Sequence, residues 1–267
     1  MQQTIKVGVN GASGKMGQRV VALTQSDPEL TLAATLESST CAFLGKDAGE
    51  VAGIGNIGLK IASTLEVPLD VVIDFSTPDG LASIAKICGE REIALVAATT
   101  GLSDEQREIV LAAAHTTPVV LAPNMSLAVN FTMMLAQRAA EGLKGYPEGV
   151  DVEILERHHR FKADAPSGTA LKFGEIVAEG MGLTKHIHGR QGRPGARTRE
   201  EIGYHAIRTG DTVGEHTIIF GMLGESIELT VRGNTRDSYV YGALAAAKFL
   251  VTKSAGLYTM AEVLGID

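Results

Sequence analysis

The sequence has few of the residues that mark disulfide-rich, metal-binding or membrane proteins. It contains no tryptophan and only two cysteines, and neither Cys41 nor Cys88 has a second cysteine or a histidine at metal-ligand spacing. That scarcity excludes a disulfide scaffold, favours a reducing compartment and leads us to expect no metal centre. No stretch reaches the roughly 18 apolar residues of a membrane helix, and the N-terminus shows no secretory leader. We therefore expect a cytoplasmic protein that does not associate with membranes.

Acidic residues outnumber basic residues in the sequence. The chain has 24 Lys and Arg against 31 Asp and Glu, which gives a formal net charge of −7. Such a surface repels nucleic acids and anionic membranes at long range, so we expect no nucleic-acid partner. An anionic ligand would need a local cluster of positive charge. With 45% hydrophobic residues, the chain has enough apolar side chains to form a core.

The first half of the chain alternates short β-branched runs with longer helical patterns. This rhythm predicts an α/β fold with a doubly wound parallel sheet of the Rossmann type, covered by helices on both faces. The predicted strands are Thr4–Asn10, Leu30–Leu36, Val71–Phe75, Ile93–Ala98 and Val119–Ala122. The predicted helices between them are Lys15–Gln25, Leu81–Arg91 and Asp104–His115.

The pattern changes after about residue 125 and predicts a smaller α+β domain. A helix at about 126–143 is followed by a strand at 152–156, a helix at about Thr169–Met181, and three alternating strands near 202–209, 214–220 and 226–232. Short glycine-containing turns separate these three strands, which favours an antiparallel meander in a mixed, mostly antiparallel open sheet. We assign residues 1–127 with 238–267 to a dinucleotide-binding domain, and 128–237 to a substrate-binding and oligomerisation domain.

The loop after the first strand has glycines at positions 11, 14 and 17. Glycine permits a tight turn and a close approach of the backbone to a pyrophosphate, and the following helix N-terminus favours anions. A glycine-rich turn without a ligand is the alternative. The loop is therefore expected to lie against the pyrophosphate of a dinucleotide.

Glu37 stands at the end of the second predicted strand, about 20 residues beyond the last loop glycine. An acid at this point usually accepts hydrogen bonds from the ribose hydroxyls of the adenosine. NADPH normally requires a basic residue beside its 2′-phosphate, and the next residue is Ser38. The pattern therefore favours NADH, with NADPH still open.

The segment from Arg157 to Lys162 concentrates positive and titratable side chains in an acidic protein. If the segment is extended, His158 and Lys162 share one face, and either could act as a general acid. Ser167 is predicted to cap a helix that begins at Gly168, and such a helix start binds carboxylates. A small carboxylate ligand is therefore expected, and the alternatives are a solvated basic loop or, less favoured by spacing, a metal site.

The segment ERHHRFKADAPSGTA, residues 156–170, resembles the signature of the bacterial 4-hydroxy-tetrahydrodipicolinate reductase family, also called dihydrodipicolinate reductase. The resemblance covers essentially the whole chain. It also includes residues 11–17, 72–76, 98–101 and 122–126. It implies hydride transfer from NAD(P)H to a cyclic imine dicarboxylate, which gives tetrahydrodipicolinate in the diaminopimelate and lysine pathway.

The resemblance also implies roles for individual residues and a homotetramer built through the sheet of the second domain. His158 falls on the proton donor and acceptor, Lys162 on the proton donor, and His159, Gly168 and Thr169 on substrate-binding positions. The cofactor positions that it implies are Gly11, Ala12, Ser13, Gly14, Lys15, Met16 and Glu37. Further cofactor positions implied near the nicotinamide are Ala98, Thr99, Thr100, Ala122, Pro123, Asn124 and Met125. The chain departs from the family pattern at Ser38, where a basic residue is often found, and at Ala98, where glycine is common.

Two other functions remain open on the sequence. One is an NAD(P)-dependent dehydrogenase of another small amino or imino acid. The other is a non-catalytic NAD(H)-binding regulator, which would need the glycine loop and Glu37 but not the histidines and lysine.

Overall fold

A computed structural model of the protein describes residues 4–266, which form two compact units. One unit is drawn from Met1–Leu127 and Arg236–Asp267, and the other is Ala128–Thr235. The elements along the chain as far as the fifth strand are β1 (Ile5–Asn10), α1 (Lys15–Ser26), β2 (Leu30–Leu36), α2 (Ala48–Val51), β3 (Val71–Asp74), α3 (Pro78–Arg91), β4 (Ala94–Ala97), α4 (Asp104–Ala113) and β5 (Pro118–Leu121). The remaining elements are α5 (Leu127–Leu143), β6 (Asp151–His158), α6 (Gly168–Met181), β7 (Lys185–His188), β8 (Glu201–Arg208), β9 (Gly214–Met222), β10 (Glu225–Gly233), α7 (Asp237–Leu250), β11 (Gly256–Tyr258) and α8 (Met260–Leu264).

The first unit contains a parallel sheet with the strand order β11-β5-β4-β3-β1-β2. Successive residues of its strands point to opposite faces, so Val71 and Ile73 enter one apolar cluster while Val72 enters the other. Helices α1 and α7 pack in the first cluster, and α3 and α4 pack in the second. Burial on both faces explains the continuous apolar strands, and the predicted doubly wound sheet is confirmed.

The carboxyl ends of β1 and β3 meet at the point where the strand order reverses. The chain moves from β1 outward to β2 and then returns to the other side of β1 to form β3. In open α/β sheets a ligand groove forms outside the strands at such a switch point. The glycine loop that follows β1 therefore lies where a bound dinucleotide would be expected.

The second unit contains a mixed sheet with the strand order β10-β9-β6-β8-β7. One face of the sheet packs on α5 and α6 through a cluster that includes Ile154, Phe173, Ile202, Ile218 and Phe220. A mixed sheet is as predicted. The pairing of β9 with β10 and with β6 is antiparallel, and β8 pairs in parallel with β6 and β7.

The predicted three-strand meander is therefore wrong for β8. The chain runs from β6 through α6 before it reaches β8, and a crossover through a helix produces parallel neighbours. The short connection from β8 to β9 does not form a hairpin, because β6 lies between the two strands. Instead it crosses the carboxyl end of β6, where Thr209 N donates to His158 O at 2.9 Å and Arg160 N donates to Gly210 O at 3.1 Å.

Candidate active site

The glycine loop between β1 and α1 is held in a conformation that only small residues allow. Gly11 has a φ of +79°, and a Cβ atom there would lie 2.8 Å from Phe75 O. A Cβ on Gly17 would lie 2.0 Å from Gly11 O. The N–H groups of Gly11 and Ala12 both donate to Leu36 O, at 2.9 and 3.1 Å. The loop thus brings α1 close to the strand ends, as a pyrophosphate-binding turn requires.

The start of α1 faces this loop without a side-chain cap. Gly14 is the N-cap residue, and among residues 4–266 no side chain caps the helix through it. The positive end of the helix dipole is therefore directed at the loop, which suits a phosphate. Lys15 and Met16 begin the first turn of α1.

Glu37 lies directly against the glycine loop. Its Oε1 accepts hydrogen bonds from Ser13 N at 2.9 Å and from Ser13 Oγ at 2.7 Å. A groove of about 760 Å³ begins here, which is large enough for part of a dinucleotide. Residues that line it include Gly11, Ser13, Gly14, Glu37, Ser38, Ser39, Ser63, Ser76 and Thr77. A dinucleotide is compatible with these residues, because the backbone gives close approach and the carboxylate gives an acceptor for ribose hydroxyls.

The cofactor positions predicted at 98–100 and 122–125 follow β4 and β5 and do not line this groove. Thr99 lies just after β4, and its hydroxyl donates to Asp74 Oδ1 at 2.5 Å. Thr100 is exposed, whereas Ala98 and Thr99 are buried. Residues 122–125 follow β5, with Ala122 and Met125 buried and Pro123 exposed. Asn124 Oδ1 accepts a hydrogen bond from Ser126 N at 2.9 Å.

A buried carboxylate joins three strand ends in the first unit. Asp74, fully buried at the end of β3, also accepts hydrogen bonds from Asn10 Nδ2 at 2.6 Å and Ser76 Oγ at 2.7 Å. Burial raises the pKa of Asp74, and the hydrogen bonds oppose that shift. No role for Asp74 was predicted from the sequence. A polar residue at the carboxyl end of each of three adjacent strands was the signal for the network.

His158 is the last residue of β6 and lies at the centre of a second polar cluster. Its Nδ1 is 2.5 Å from Glu156 Oε2. Arg208 on β8 lies opposite His158 in the strand register and donates two hydrogen bonds to the Glu156 carboxylate, at 2.7 and 2.8 Å. Ser167 N donates to the same carboxylate at 3.0 Å. Glu156 and Arg208 were not predicted as site residues, and the two-residue spacing of Glu156 from His158 on one strand face was the available signal.

The surroundings of Glu156 and His158 lower the pKa of both side chains. Burial tends to raise the pKa of Glu156, but hydrogen bonds from Arg208 and His158 outweigh it and hold that pKa below its usual value. Burial lowers the pKa of His158, and its contact with Glu156 only partly opposes that shift. The positive charges of Lys162 and Arg208 lower it further. Near neutral pH, Glu156 is therefore an anion and His158 is a neutral ring.

Lys162 reaches the cluster by a route that differs from the extended segment predicted from sequence. The chain leaves β6 at His158 and turns, with Lys162 N donating to His159 O at 3.1 Å. Lys162 Nζ is 2.9 Å from Asp164 Oδ1. The turn forms because the connection from β8 crosses the end of β6 and stops the strand. It still brings the charge of Lys162 close enough to act on His158.

The start of α6 lies beside this cluster. Ser167 is the N-cap residue, and its Oγ accepts a hydrogen bond from Ala170 N at 3.2 Å, as predicted. Gly168 and Thr169 are the first two residues of the helix. His159 Nδ1 is buried and has no hydrogen-bond partner within residues 4–266. The positive end of this helix suits an anionic ligand, and the buried ring nitrogen of His159 is left unsatisfied in the same unit.

A second histidine, His216 on β9, supports the cluster from the core. Its ring lies 5.2 Å from that of His158, and its Nε2 is 3.0 Å from Ser167 Oγ. Burial lowers the pKa of His216 to about 4. The ring is therefore neutral in the folded protein under conditions in which it would be partly charged in the unfolded chain.

This shift predicts a measurable pH dependence of stability. The unfolded chain binds a proton at this histidine below about pH 6.5, whereas the folded chain binds one only near pH 4. The contribution of this histidine to stability is therefore complete above about pH 6.5 and is lost as the pH falls toward 4. Between about pH 7.5 and about pH 5, we expect the free energy of unfolding of the wild type to fall by about 2 kcal/mol more than that of His216→Gln. Urea denaturation at both pH values measures the difference. His115→Gln, at an exposed site, should behave as the wild type. Equal pH dependence in His216→Gln and the wild type would contradict the prediction.

Within residues 4–266, no three His, Cys, Asp or Glu side chains are grouped so that they could hold a metal ion. In the same part of the chain, no helix combines the length and apolar character needed to cross a membrane.

Comparison with known proteins matches both units to one family. The family described as "Dihydrodipicolinate reductase, N-terminus" matches residues 5–125, and "Dihydrodipicolinate reductase, C-terminus" matches residues 128–264. A 4-hydroxy-tetrahydrodipicolinate reductase from Rhodopirellula baltica is 54% identical and the alignment covers 98% of this chain and 97% of the relative. One from Acinetobacter baylyi is 42% identical over 100% and 98%. A solved dipicolinate-bound dihydrodipicolinate reductase from Paenisporosarcina sp. TG-14 has a TM-score of 0.78 at 25% identity, over 97% of this chain and 99% of that one.

Proposed function

The chain belongs to the dihydrodipicolinate reductase family, and from that premise we propose that it reduces a cyclic imine dicarboxylate with NAD(P)H, forming tetrahydrodipicolinate for diaminopimelate and lysine biosynthesis. The observation that carries the proposal is the cluster of His158, Lys162 and the start of α6, in a chain that also has the dinucleotide loop. A dicarboxylate needs cationic and amide donors, and the reduction needs a group that supplies a proton.

We assign the cofactor to the first unit. Gly11, Ala12, Ser13, Gly14, Lys15, Met16 and Glu37 would hold the adenosine and pyrophosphate portion, and Ala98, Thr99, Thr100, Ala122, Pro123, Asn124 and Met125 would hold the nicotinamide portion. The reduced nicotinamide supplies the hydride when it is bound. The orientation of Thr99 by buried Asp74 supports its place in this set.

The second unit supplies charge and the proton. His159 and the amides of Gly168 and Thr169 would bind the substrate carboxylates at the start of α6. Lys162 is paired with Asp164 as a cation, so it can donate a proton to the reduced ring. His158 is neutral near pH 7, so its free ring nitrogen can take up a proton from solvent and return it to Lys162 after that transfer.

Substrate dependence tests this function. Purified protein should oxidise NADH only when the condensation product of pyruvate and aspartate semialdehyde is present. Pyruvate alone, aspartate and common amino acids should give no oxidation above background. Comparable turnover with another amino or imino acid would favour a different dehydrogenase, and binding of NADH without any turnover would favour a regulator.

We also propose that NADH is the preferred cofactor, because Glu37 is followed by Ser38 rather than a basic residue. Ser38 lines the groove, so Ser38→Arg would place a guanidinium beside the ribose 2′-phosphate of NADPH. We expect this variant to raise kcat/KM for NADPH about tenfold. Thr31→Arg adds the same charge to an exposed residue at the amino end of β2, away from the groove, and should leave the ratio of the two cofactors unchanged. A wild type that already favours NADPH would contradict the assignment.

We propose a cytoplasmic homotetramer built through the sheet of the second unit. Only one face of that sheet is covered by α5 and α6, which supports an interface on the other face. Size-exclusion chromatography with light scattering distinguishes a tetramer from a monomer of 28.0 kDa.

A further inference from the structure

The Glu156 carboxylate connects three elements of the second unit. It is almost fully buried on β6, two residues before His158. Its Oε1 accepts from Arg208 Nη2 at 2.7 Å and from Ser167 N at 3.0 Å. Its Oε2 accepts from Arg208 Nη1 at 2.8 Å and lies 2.5 Å from His158 Nδ1. Four hydrogen bonds thus bind one carboxylate to β6, to β8 and to the start of α6.

The identity of these partners determines which nitrogen of His158 carries the proton. An ionised carboxylate only accepts hydrogen bonds, so the ring nitrogen facing Glu156 must be the donor. His158 therefore carries its proton on Nδ1, which leaves the Nε2 lone pair as an acceptor. Arg208 compensates the buried negative charge through a bidentate pair, which keeps Glu156 ionised. A neutral amide at position 156 could not accept all four hydrogen bonds.

The same carboxylate also sets the position of the helix start. Its bond to Ser167 N fixes the N-cap residue, whose Oγ in turn accepts from Ala170 N. Gly168 follows the cap directly. His158 and the first turn of α6 are thus aligned by one side chain that comes from neither of them.

We propose that Glu156 is a positioning residue of the reductase, which holds His158 in the Nδ1–H tautomer and aligns it with the carboxylate-binding start of α6. This inference deepens the proposed function and rests on it for its kinetic consequences. Glu156 contacts the proton-transfer group His158 directly, whereas the start of α6 keeps its Ser167 cap without Glu156, so its replacement should affect the chemical step more than substrate binding.

The tautomer of His158 in the wild-type protein gives the first test. Ring ¹⁵N resonances of ¹⁵N-histidine-labelled protein, assigned to His158 by their loss in His158→Gln, should show the proton on Nδ1 near neutral pH. In Glu156→Gln the proton should no longer be confined to Nδ1. A wild-type ring that is protonated on Nε2 alone would overturn the proposal, even if the variant does not fold.

Kinetics of Glu156→Gln give the second test. We expect kcat to fall roughly 10- to 100-fold, with KM for the substrate changing less than about threefold. The variant also lacks the negative charge beside the His158 ring, so the pH profile of kcat should shift as well. The charged and titratable groups around the ring are Glu156, Lys162, Arg208 and His216. Unchanged kcat and pH profile in a folded Glu156→Gln variant would overturn the proposal.

Glu201→Gln is the matched control. Glu201 is also buried and also pairs with an arginine, Arg190. It lies at the first residue of β8, at the opposite end of that strand from Arg208. It should keep the tautomer of His158 and the wild-type kcat. A wild type that fails to turn over the substrate would refute the proposed function instead, while the tautomer measurement would still decide the role of Glu156.

Discussion

Lys162→Met should lower kcat by about 10²- to 10⁴-fold, the usual loss when a group that transfers a proton is removed. Methionine keeps most of the length of the side chain and removes its positive charge and its proton. His158→Gln should cause a loss of the same order, although glutamine can still donate to Glu156. NADH binding should persist in both variants, because the glycine loop and Glu37 belong to the first unit.

Steady-state kinetics and fluorescence titration with NADH separate the two effects. Lys172→Met is a suitable control, since Lys172 lies on the same unit in α6 and forms an exposed pair with Glu175. It should retain wild-type turnover. Full turnover in both Lys162→Met and His158→Gln would remove these residues from the mechanism.

Gly17→Ala should weaken NADH binding by at least about tenfold. The added methyl would lie 2.0 Å from Gly11 O, so α1 or the glycine loop must move. Either movement displaces the backbone from the position at which it approaches the pyrophosphate, and a lost phosphate contact of about 1.4 kcal/mol corresponds to a factor of ten. Isothermal titration with NADH measures the change.

Gly142→Ala is the matched control, because Gly142 also lies in a helix, α5, but has open space where its Cβ would be. It should leave NADH affinity unchanged and raise stability slightly, by about 0.5 to 1 kcal/mol, as alanine replaces glycine in a helix. If Gly17→Ala bound NADH as tightly as Gly142→Ala, the glycine loop would not be the cofactor site that we propose.

The first unit could be predicted from the sequence because its strands are buried on both faces. The runs 71–73 and 94–98 are apolar and short, and each is followed by a polar residue. The short elements α2, β7, β11 and α8 were not predicted. Each has five or fewer residues, which is too few for a helical or strand period to become visible, and none has the continuous apolar run that marks β3, β4 and β5.

The strand order of the second unit was harder to predict, because its strand pairing depends on contacts between residues distant in sequence. The turn near Gly210 has the composition of a hairpin, yet it crosses β6. The strand order follows from the position of β6 between β8 and β9, and no local pattern encodes that insertion. The same crossing ends β6 at His158, so the error in topology and the unexpected turn toward Lys162 have one cause.

The sequence predicted the side chains proposed to act on the substrate, but it did not predict Glu156 and Arg208, which hold His158 in place. His158, Lys162 and the Ser167 cap follow from residue type and spacing. Arg208 is 50 residues from His158 and reaches Glu156 only because β6 and β8 pair in register. Long-range partners of this kind cannot be read from one sequence, since their sequence separation carries no fixed period.

The central claim is that a dicarboxylate binds at the start of α6, beside His158 and Lys162. A crystal structure with NADH and dipicolinate, a planar dicarboxylate that resembles the proposed substrate, tests it most directly. We predict one dipicolinate carboxylate at roughly 3 Å from the amides of Gly168 and Thr169, with His158 Nε2 and Lys162 Nζ directed at the ring. Dipicolinate bound elsewhere, or His158 and Lys162 directed away from it, would contradict the account.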